Sequence, residues 1–219
     1  MKTFKNKDGK PILLSMVKAI QQHKAYLSEV DGLIGDGDHG MNMNKGFTMF
    51  ESRFKDEDIS FTGGLTELGT ILLTEIGGSM GPIYGTILID MAAAGEEEED
   101  ISLTVFSKML ATGLEGLLGI VDARVGDKTL VDTLAPAVDA LRHAVDDSIP
   151  FPTALQQMKA AAEAGKESTK DLVAKFGRSS RLGERSRGVL DAGATSCCII
   201  LTAMADAMTA LLAEEPVSI

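Results

Sequence analysis

The sequence contains no tryptophan, and aromatic residues make up only 5% of its 219 residues. It is also poor in basic residues: 21 lysines and arginines stand against 32 aspartates and glutamates, which gives a formal net charge of -11. Binding to a nucleic-acid backbone requires a basic surface, and base stacking requires aromatic rings. We therefore expect no nucleic-acid partner.

Cysteine is equally scarce, with one adjacent pair, Cys197 and Cys198, in an apolar run. Neighbours in sequence rarely reach unstrained disulfide geometry, so we expect buried thiols in a reducing compartment. The opening stretch MKTFKNKDGKPILL has no apolar signal core. The run GATSCCIILTAMADAMTALLA approaches the length of a membrane span, but Asp206 interrupts it and no basic flank follows, which favours a buried helix. We expect a cytoplasmic protein that does not enter a membrane.

Helical periodicity is abundant, and 44% of the residues are hydrophobic, enough for a substantial core. Apolar residues at steps of three and four predict eight helices, and no segment alternates as a strand would. The predicted helices cover residues 12–30, 42–54, 65–76, 82–95, 103–120, 127–145, 154–176 and 194–212. Pro136 is expected to kink the sixth helix, and Asp100 or Ser102 to cap the fifth. We predict an all-α fold: one domain over residues 1–219, forming an eight-helix antiparallel up-and-down barrel or bundle.

Short connections in such an array place alternate loops at the same end. The loops after helices 1, 3, 5 and 7 read DGLIGDGDHGM, GGSMGP, DARVGDK and GRSSRLGERSRGVLDAGA. The other loops, KDEDISFTGG, GEEEEDIS and DDSIPFP, resemble plain polar turns. The first set holds most of the loop glycines, the clustered aspartates, a histidine and five arginines. The sequence therefore predicts a functional site at one rim.

Asp31, Asp36 and Asp38 form the acidic cluster of this rim. Carboxylates this close repel one another unless a cation lies between them, and oxygen ligands suit Mg²⁺ or Ca²⁺. The spacing is not that of an EF-hand, because Gly40 and Phe47 occupy the fifth and twelfth positions counted from Asp36. The alternative is a glycine–aspartate turn whose carboxylates cap the second helix.

Phosphate is the usual companion of protein-bound Mg²⁺. GGSMGP places glycine amides and Ser79 at the start of the fourth helix, a position that favours anions, although the same glycines could simply end the third helix. The last rim loop carries four arginines that could clamp phosphates or only solvate the loop. They are Arg178, Arg181, Arg185 and Arg187.

Other rim residues allow two interpretations each. His39 could donate to a phosphate, transfer a proton, or simply be a hydrogen-bonded neighbour of the aspartates. Asp191 and Thr195 could contact a ligand or cap the last helix. The sequence contains no Walker-type loop and no convincing nucleophile–base arrangement, so we predict no catalytic nucleophile.

Four motifs recur in order across nearly the whole chain: GDGDHGMNMNKGF, GGSMGPIYGT, GDKTLVDTLAP, and GRSSRLGERSRG followed by DAGATS. Together they resemble the nucleotide-binding L subunit of dihydroxyacetone kinases. The resemblance implies an eight-helix antiparallel barrel with a nucleotide site at one rim, in agreement with the helix count. It also implies phosphoryl transfer to dihydroxyacetone or a similar small ketose, which a separate K subunit would hold.

Carried over by motif, the resemblance implies that Asp31, Asp36 and Asp38 hold two Mg²⁺ ions bridging the nucleotide phosphates. The implied contacts of ADP or ATP are His39, Asn42, Ser79, Met80, Leu130, Arg178, Asp191 and Gly193. The resemblance implies one of two phosphoryl donors: exchangeable ATP, or ATP formed in the site when a histidine-phosphorylated protein of the phosphotransferase system rephosphorylates permanently bound ADP.

The sequence also departs from the usual family pattern. Ser79 and Met80 replace a small residue followed by serine, Val189 and Ala192 replace a histidine and a proline, and Arg181 replaces an aromatic residue. These changes leave open the sugar, which could be another triose or a tetrulose, and the donor. A non-catalytic Mg-nucleotide-binding regulatory subunit is the competing hypothesis, whereas a purely structural adaptor would not need the acidic loop.

Overall fold

Eight helices form a closed ring within residues 2–214, the part of the chain that the computed structural model describes. Each helix packs against the next one in the chain, and the last packs against the first. The predicted all-α, eight-helix architecture is thereby confirmed. The helices are α1 (Lys10–Ile34), α2 (His39–Phe54), α3 (Phe61–Glu75), α4 (Met80–Ala93), α5 (Leu103–Ile120), α6 (Val131–Asp146), α7 (Phe151–Ser168) and α8 (Ala192–Glu214).

The apolar faces of all eight helices meet in one core. Its largest fully buried side chains include Phe4, Phe47, Phe50, Phe61 and Phe106. Burial of each such ring contributes about 1.5–3 kcal/mol. α3 and α4 cross closely, since a methyl group added at Gly69 would lie 3.0 Å from the carbonyl oxygen of Gly85.

Two short strands lie at the rim opposite the predicted site. β1 (Thr3–Lys5) pairs antiparallel with β2 (Asp100–Ser102), so the prediction that no strand forms was wrong. Three residues are too few to show the alternation by which strands are identified. The Ser102 hydroxyl accepts a hydrogen bond from the Val105 amide at 3.2 Å and caps α5 as predicted, whereas Asp100 pairs with Lys5 at 2.8 Å.

Helix boundaries were predicted less well than helix positions. α7 ends at Ser168, well before residue 176, and hydroxyl groups bond to carbonyl groups of its last turn. The Ser168 hydroxyl donates to Gly165 at 2.7 Å, and that of Thr169 to Lys166 at 2.6 Å. α6 begins at Val131 rather than near residue 127, and it continues unbroken through Pro136.

Two helices, Leu103–Ile120 and Ala192–Ala213, are long and apolar enough to span a membrane by length and composition. Both belong to the ring, and about half of each is buried inside it, 50% and 56%. Core helices pass the same test, so this finding is weak evidence for a membrane span. Cys197 and Cys198 lie within α8 as buried free thiols, as predicted.

Candidate functional site

A cavity of about 530 Å³ opens at one end of the ring. The segments that line it belong to the loops after α1, α3, α5 and α7 and to the adjoining helix ends. The prediction that alternate loops meet at one rim is therefore confirmed. All eleven residues assigned to the nucleotide or the metal line this cavity: Asp31, Asp36, Asp38, His39, Asn42, Ser79, Met80, Leu130, Arg178, Asp191 and Gly193. Their roles as ligands remain predictions.

Three aspartates cluster at this cavity. One carboxylate oxygen from each of Asp31, Asp36 and Asp38 lies within 4.8 Å of the other two. Asp31 is in the last two turns of α1, and the other two follow in the turn that leads to α2. Gly37 allows this tight turn because its φ of +77° lies in the left-handed region that glycine tolerates.

The aspartate oxygens are mostly not engaged in capping α2. Asp38 occupies the N-cap position, but within the described residues its side chain accepts no capping hydrogen bond. Asp31 accepts one long bond, 3.3 Å, from the amide of His39, and Asp36 pairs with the guanidinium of Arg178. Asp36 aside, these carboxylates have few other partners, and a compact set of oxygen ligands fits a hard divalent cation such as Mg²⁺ better than the capping alternative.

The N-terminus of α4 also borders the cavity, through Gly77, Gly78, Ser79 and Met80. Ser79 is at the N-cap position, and within the described chain its side chain makes no capping bond. The first amides of α4 therefore keep their hydrogen-bonding capacity for an anion. α3 ends at Glu75 and its C-cap residue Ile76 is extended, so the two glycines lie in the connection between α3 and α4.

His39 is buried beside the aspartates. Its Nε2 lies 2.8 Å from the Ser196 hydroxyl, which lies 2.7 Å from the Tyr84 hydroxyl. Burial lowers the pKa of His39 to about 4, although the charge of Asp31 acts in the opposite direction. The imidazole is therefore neutral at neutral pH and held at one nitrogen, which favours a hydrogen-bonding role over proton transfer.

Leu130, Asp191 and Gly193 form part of the wall on the side of α6 and α8. The Asp191 carboxylate accepts a hydrogen bond from the Ala194 amide at 2.7 Å, so it caps α8 and also lines the cavity. Burial raises the pKa of Asp191 to about 6, and the Ala194 amide and the Lys128 charge oppose this shift. Thr195 is buried and donates to the Asp191 carbonyl at 2.7 Å, a bond within α8 and not a cap, so the capping alternative applies to Asp191 alone of the two.

The segment between α7 and α8 carries four arginines, and we call residues 170–188 the arginine loop. Of these four, Arg178 is the one that lines the cavity within the described chain. Arg187 bonds to Glu184 at 3.0 Å and to the Asp171 carbonyl, while Arg181 and Arg185 are exposed. The phosphate-clamp interpretation is thereby restricted to Arg178, and solvation describes the others.

Several cavity residues were missed from the sequence. Leu117, Val121 and Phe176 supply apolar surface suited to a flat ring. Residues of this type at helix ends look like ordinary core residues in a periodic pattern. Lys128 also lines the cavity and is buried, although its motif GDKT gave no indication of burial.

The chain matches the DAK2 domain over residues 33–206. It is 37% identical over 193 residues to the ADP-binding subunit DhaL of the PEP-dependent dihydroxyacetone kinase of Escherichia coli (strain K12), covering 87% of this chain and 89% of that relative. It is 29% identical over 204 residues to the L-erythrulose 1-kinase of Mycolicibacterium smegmatis, covering 90% of this chain and 35% of that relative.

A solved structure shares the fold. The dihydroxyacetone kinase from C. freundii, in complex with AMP-PNP and Mg²⁺, superposes with a TM-score of 0.67 over 89% of this chain at 22% identity. The chain spans about a third (33%) of the length of that kinase. At this identity the likeness concerns the fold, and it agrees with the closed ring of helices.

Proposed function

Because the chain belongs to the DAK2-domain family, we propose that it is the nucleotide-binding, phosphoryl-transferring subunit of a dihydroxyacetone kinase. The observation that carries this proposal is the aspartate cluster, whose oxygens approach within 4.8 Å at a cavity that also receives a helix N-terminus and Arg178. An acidic cluster beside two anion-binding features suits an anionic ligand that brings metal ions with it.

The ligand is ADP or ATP with two Mg²⁺ ions. Asp31, Asp36 and Asp38 would hold the metal, which when bound would neutralise part of the phosphate charge. The amides at Ser79 and Met80 and the guanidinium of Arg178 would bind phosphate oxygens. This arrangement needs no nucleophile from the chain, because phosphoryl transfer is catalysed mainly by positioning and electrostatic stabilisation.

The remaining site residues orient the nucleotide. His39, neutral and fixed by Ser196, would offer one hydrogen bond at its second nitrogen, and Asn42 another. Leu130 and Gly193 would border the adenine, for which the apolar lining of the cavity is suited. Asp191, which caps α8, would contact the nucleotide from the same wall of the cavity.

The acceptor is dihydroxyacetone or a similar small ketose, held by a separate K-type subunit. ADP remains bound, a histidine-phosphorylated protein of the phosphotransferase system rephosphorylates it to ATP, and this ATP donates the phosphoryl group and returns to ADP. Support comes from the E. coli relative, an ADP-binding subunit of a PEP-dependent kinase that matches this chain over 89% of its own length. We expect this assembly in the cytoplasm.

Exposed apolar side chains surround the cavity and support a partner docking there. Eight large hydrophobic residues are exposed in the described chain, and six of them lie at helix ends or loops of this rim. These six are Leu33, Met41, Leu118, Ile120, Val125 and Phe176. Clustered exposed apolar surface is typical of protein interaction sites.

Two alternatives are retained. The first is an ATP-dependent kinase subunit for another triose or a tetrulose, and the match to the L-erythrulose 1-kinase supports the tetrulose. A non-catalytic Mg-nucleotide-binding regulatory subunit would use the same site without turnover. Assay with a K subunit, comparing PEP-driven with ATP-driven transfer and dihydroxyacetone with erythrulose, separates these possibilities.

The direct test is calorimetric titration of the chain with ADP, in Mg²⁺ and again in EDTA, for the wild type and Asp36→Asn. We expect tight binding in Mg²⁺ that is lost with EDTA and weakened at least about tenfold in the variant, as for the loss of a charge-assisted contact. Asp58→Asn, on the loop between α2 and α3, makes the same chemical change outside the cavity and should bind as the wild type does. ADP affinity that changes neither in EDTA nor in Asp36→Asn would refute the assignment of the aspartates to a metal-nucleotide site.

A further inference from the structure

Lys128 is an unusual residue of the rim, and the proposed function gives it no task. It lies between α5 and α6, and its side chain is 1% exposed. Its φ of +61° is in the left-handed region, which side chains other than glycine rarely adopt. A buried ammonium in a strained backbone is costly, so its contacts require an explanation.

The ammonium of Lys128 donates to two carbonyl groups, those of Thr169 and Val189. Thr169 directly precedes the arginine loop, and Val189 directly follows it. Both ends of the loop that carries Arg178 are thus fastened to one nitrogen atom. Burial lowers the pKa of Lys128, and the charges of Asp191 and Asp132 oppose this shift.

The backbone around Lys128 is itself held in place. The buried carboxylate of Asp132 accepts hydrogen bonds from Gly126 at 2.6 Å and Thr129 at 2.7 Å, on either side of the lysine. The loop ends are joined to each other as well, since the Gly188 amide donates to Lys170 at 2.7 Å. The lysine therefore connects a rigid turn beside Leu130 to the base of a loop.

We propose that Lys128 is a positioning residue for the nucleotide: its ammonium closes the base of the arginine loop and so fixes Arg178 and Asp191 relative to the wall formed by Leu130. This inference rests on the proposed function, because the fixed residues are those assigned to ADP. Lys128 does not contact the reacting atoms in this proposal. It acts by limiting how far the loop can open, and hence how fast ADP leaves.

The test replaces the ammonium with an apolar group of similar length, Lys128→Met, and uses Lys159→Met as the matched control. Lys159 loses the same charge from α7, where it pairs with Asp206 away from the loop. Trypsin cleavage sites are mapped by mass spectrometry without nucleotide, and the dissociation of a fluorescent ADP analogue is timed in Mg²⁺. Circular dichroism and thermal unfolding confirm the fold of each variant.

In Lys128→Met we expect cleavage after Arg178, Arg181 or Arg185 to be at least about tenfold faster, and ADP dissociation to increase by a similar factor, because a hydrogen bond to a charged group is lost at each end of the loop. The control should stay within about twofold of the wild type, the scatter expected for an exposed ion pair. Unchanged loop cleavage and ADP dissociation would overturn the proposal, as would cleavage spread evenly over the chain, which indicates a general structural role.

Lys128→Gln provides a second, milder variant if the methionine variant does not fold. Its neutral amide is too short to reach both carbonyls, so loop cleavage should again increase; cleavage at the wild-type rate would show that the ammonium is not needed. The cleavage assay is independent of nucleotide. Wild-type protein that binds no Mg²⁺-ADP would overturn the proposed function and with it the nucleotide role of Lys128, whereas the cleavage pattern would still decide whether the loop is fastened.

Discussion

Replacing Asp38 with asparagine should stabilise the metal-free protein while removing its response to Mg²⁺. At the 4.8 Å separation of the cluster, two like charges in a water-like dielectric repel by about 0.9 kcal/mol. Because Arg178 offsets the charge of Asp36, the main repulsion on Asp38 comes from Asp31, and neutralising Asp38 should relieve about 1 kcal/mol. We choose Asp38 because the charge of Asp36 is already paired with Arg178.

The assay is thermal unfolding at low ionic strength, in EDTA and then in Mg²⁺. For a chain of this length about 1 kcal/mol corresponds to roughly 2–4 °C, so Asp38→Asn should unfold roughly 2–4 °C higher than the wild type in EDTA. The gain should shrink in high salt, which screens exposed charges. Mg²⁺ at one hundred times its dissociation constant should stabilise the wild type by about 2.7 kcal/mol, and the variant by much less.

Asp58→Asn makes the same substitution outside the cluster and should change neither measurement. Two results would refute the reasoning. The first is that Asp38→Asn unfolds below the wild type in EDTA, which would mean that its carboxylate stabilises the fold without metal. Alternatively, Mg²⁺ could raise both midpoints equally, and then the aspartates would not share a cation.

Two further measurements test the remaining physical arguments. Because burial raises the pKa of Asp191 to about 6 from about 3.9 in the unfolded chain, the folded state holds this proton more tightly, and its contribution to stability is lost as pH rises between those values. Asp191→Asn should remove that decline from the free energy of unfolding measured in urea, and parallel pH profiles would contradict it. Gly85→Ala should lower the free energy of unfolding by about 1–3 kcal/mol, since the new methyl group would lie 2.9 Å from the Cβ of Leu73. Gly119→Ala in α5 is the control, because nothing lies within 4 Å of its new methyl group, and it should raise the free energy of unfolding by up to about 1 kcal/mol. Equal effects of the two substitutions would refute the close crossing of α3 and α4.

The ring of helices was predictable because periodic apolar residues report which face of a helix is buried. The helix boundaries were less predictable, because side chains and the backbone compete locally for hydrogen bonds to the same backbone groups. Ser168 and Thr169 turn their hydroxyls onto the carbonyls of α7, an effect that periodicity does not contain. β1 and β2 escaped prediction because each has three residues and depends on a partner almost a hundred positions away.

The residues of the candidate site were also predictable only in part. Aspartates and glycines in loops stand out from a core pattern, and all the residues assigned from the motifs line one cavity. Apart from Met80 and Leu130, the apolar lining was not predicted, because residues such as Val121 and Phe176 resemble core residues in the sequence. Lys128 was missed because its burial depends on carbonyl groups 41 and 61 positions further along the chain.

The cavity is lined by four loops, and each loop joins the two helices of one consecutive pair in the ring. This arrangement has a thermodynamic consequence. Each helix packs mainly against its neighbours in the chain, so without ligand the pairs could separate one at a time. A ligand that contacts all four loops gains its full binding free energy only when every pair is in place. A bound ligand would therefore disfavour every partly opened ring, and it would make the unfolding of the eight helices more cooperative than their packing alone does.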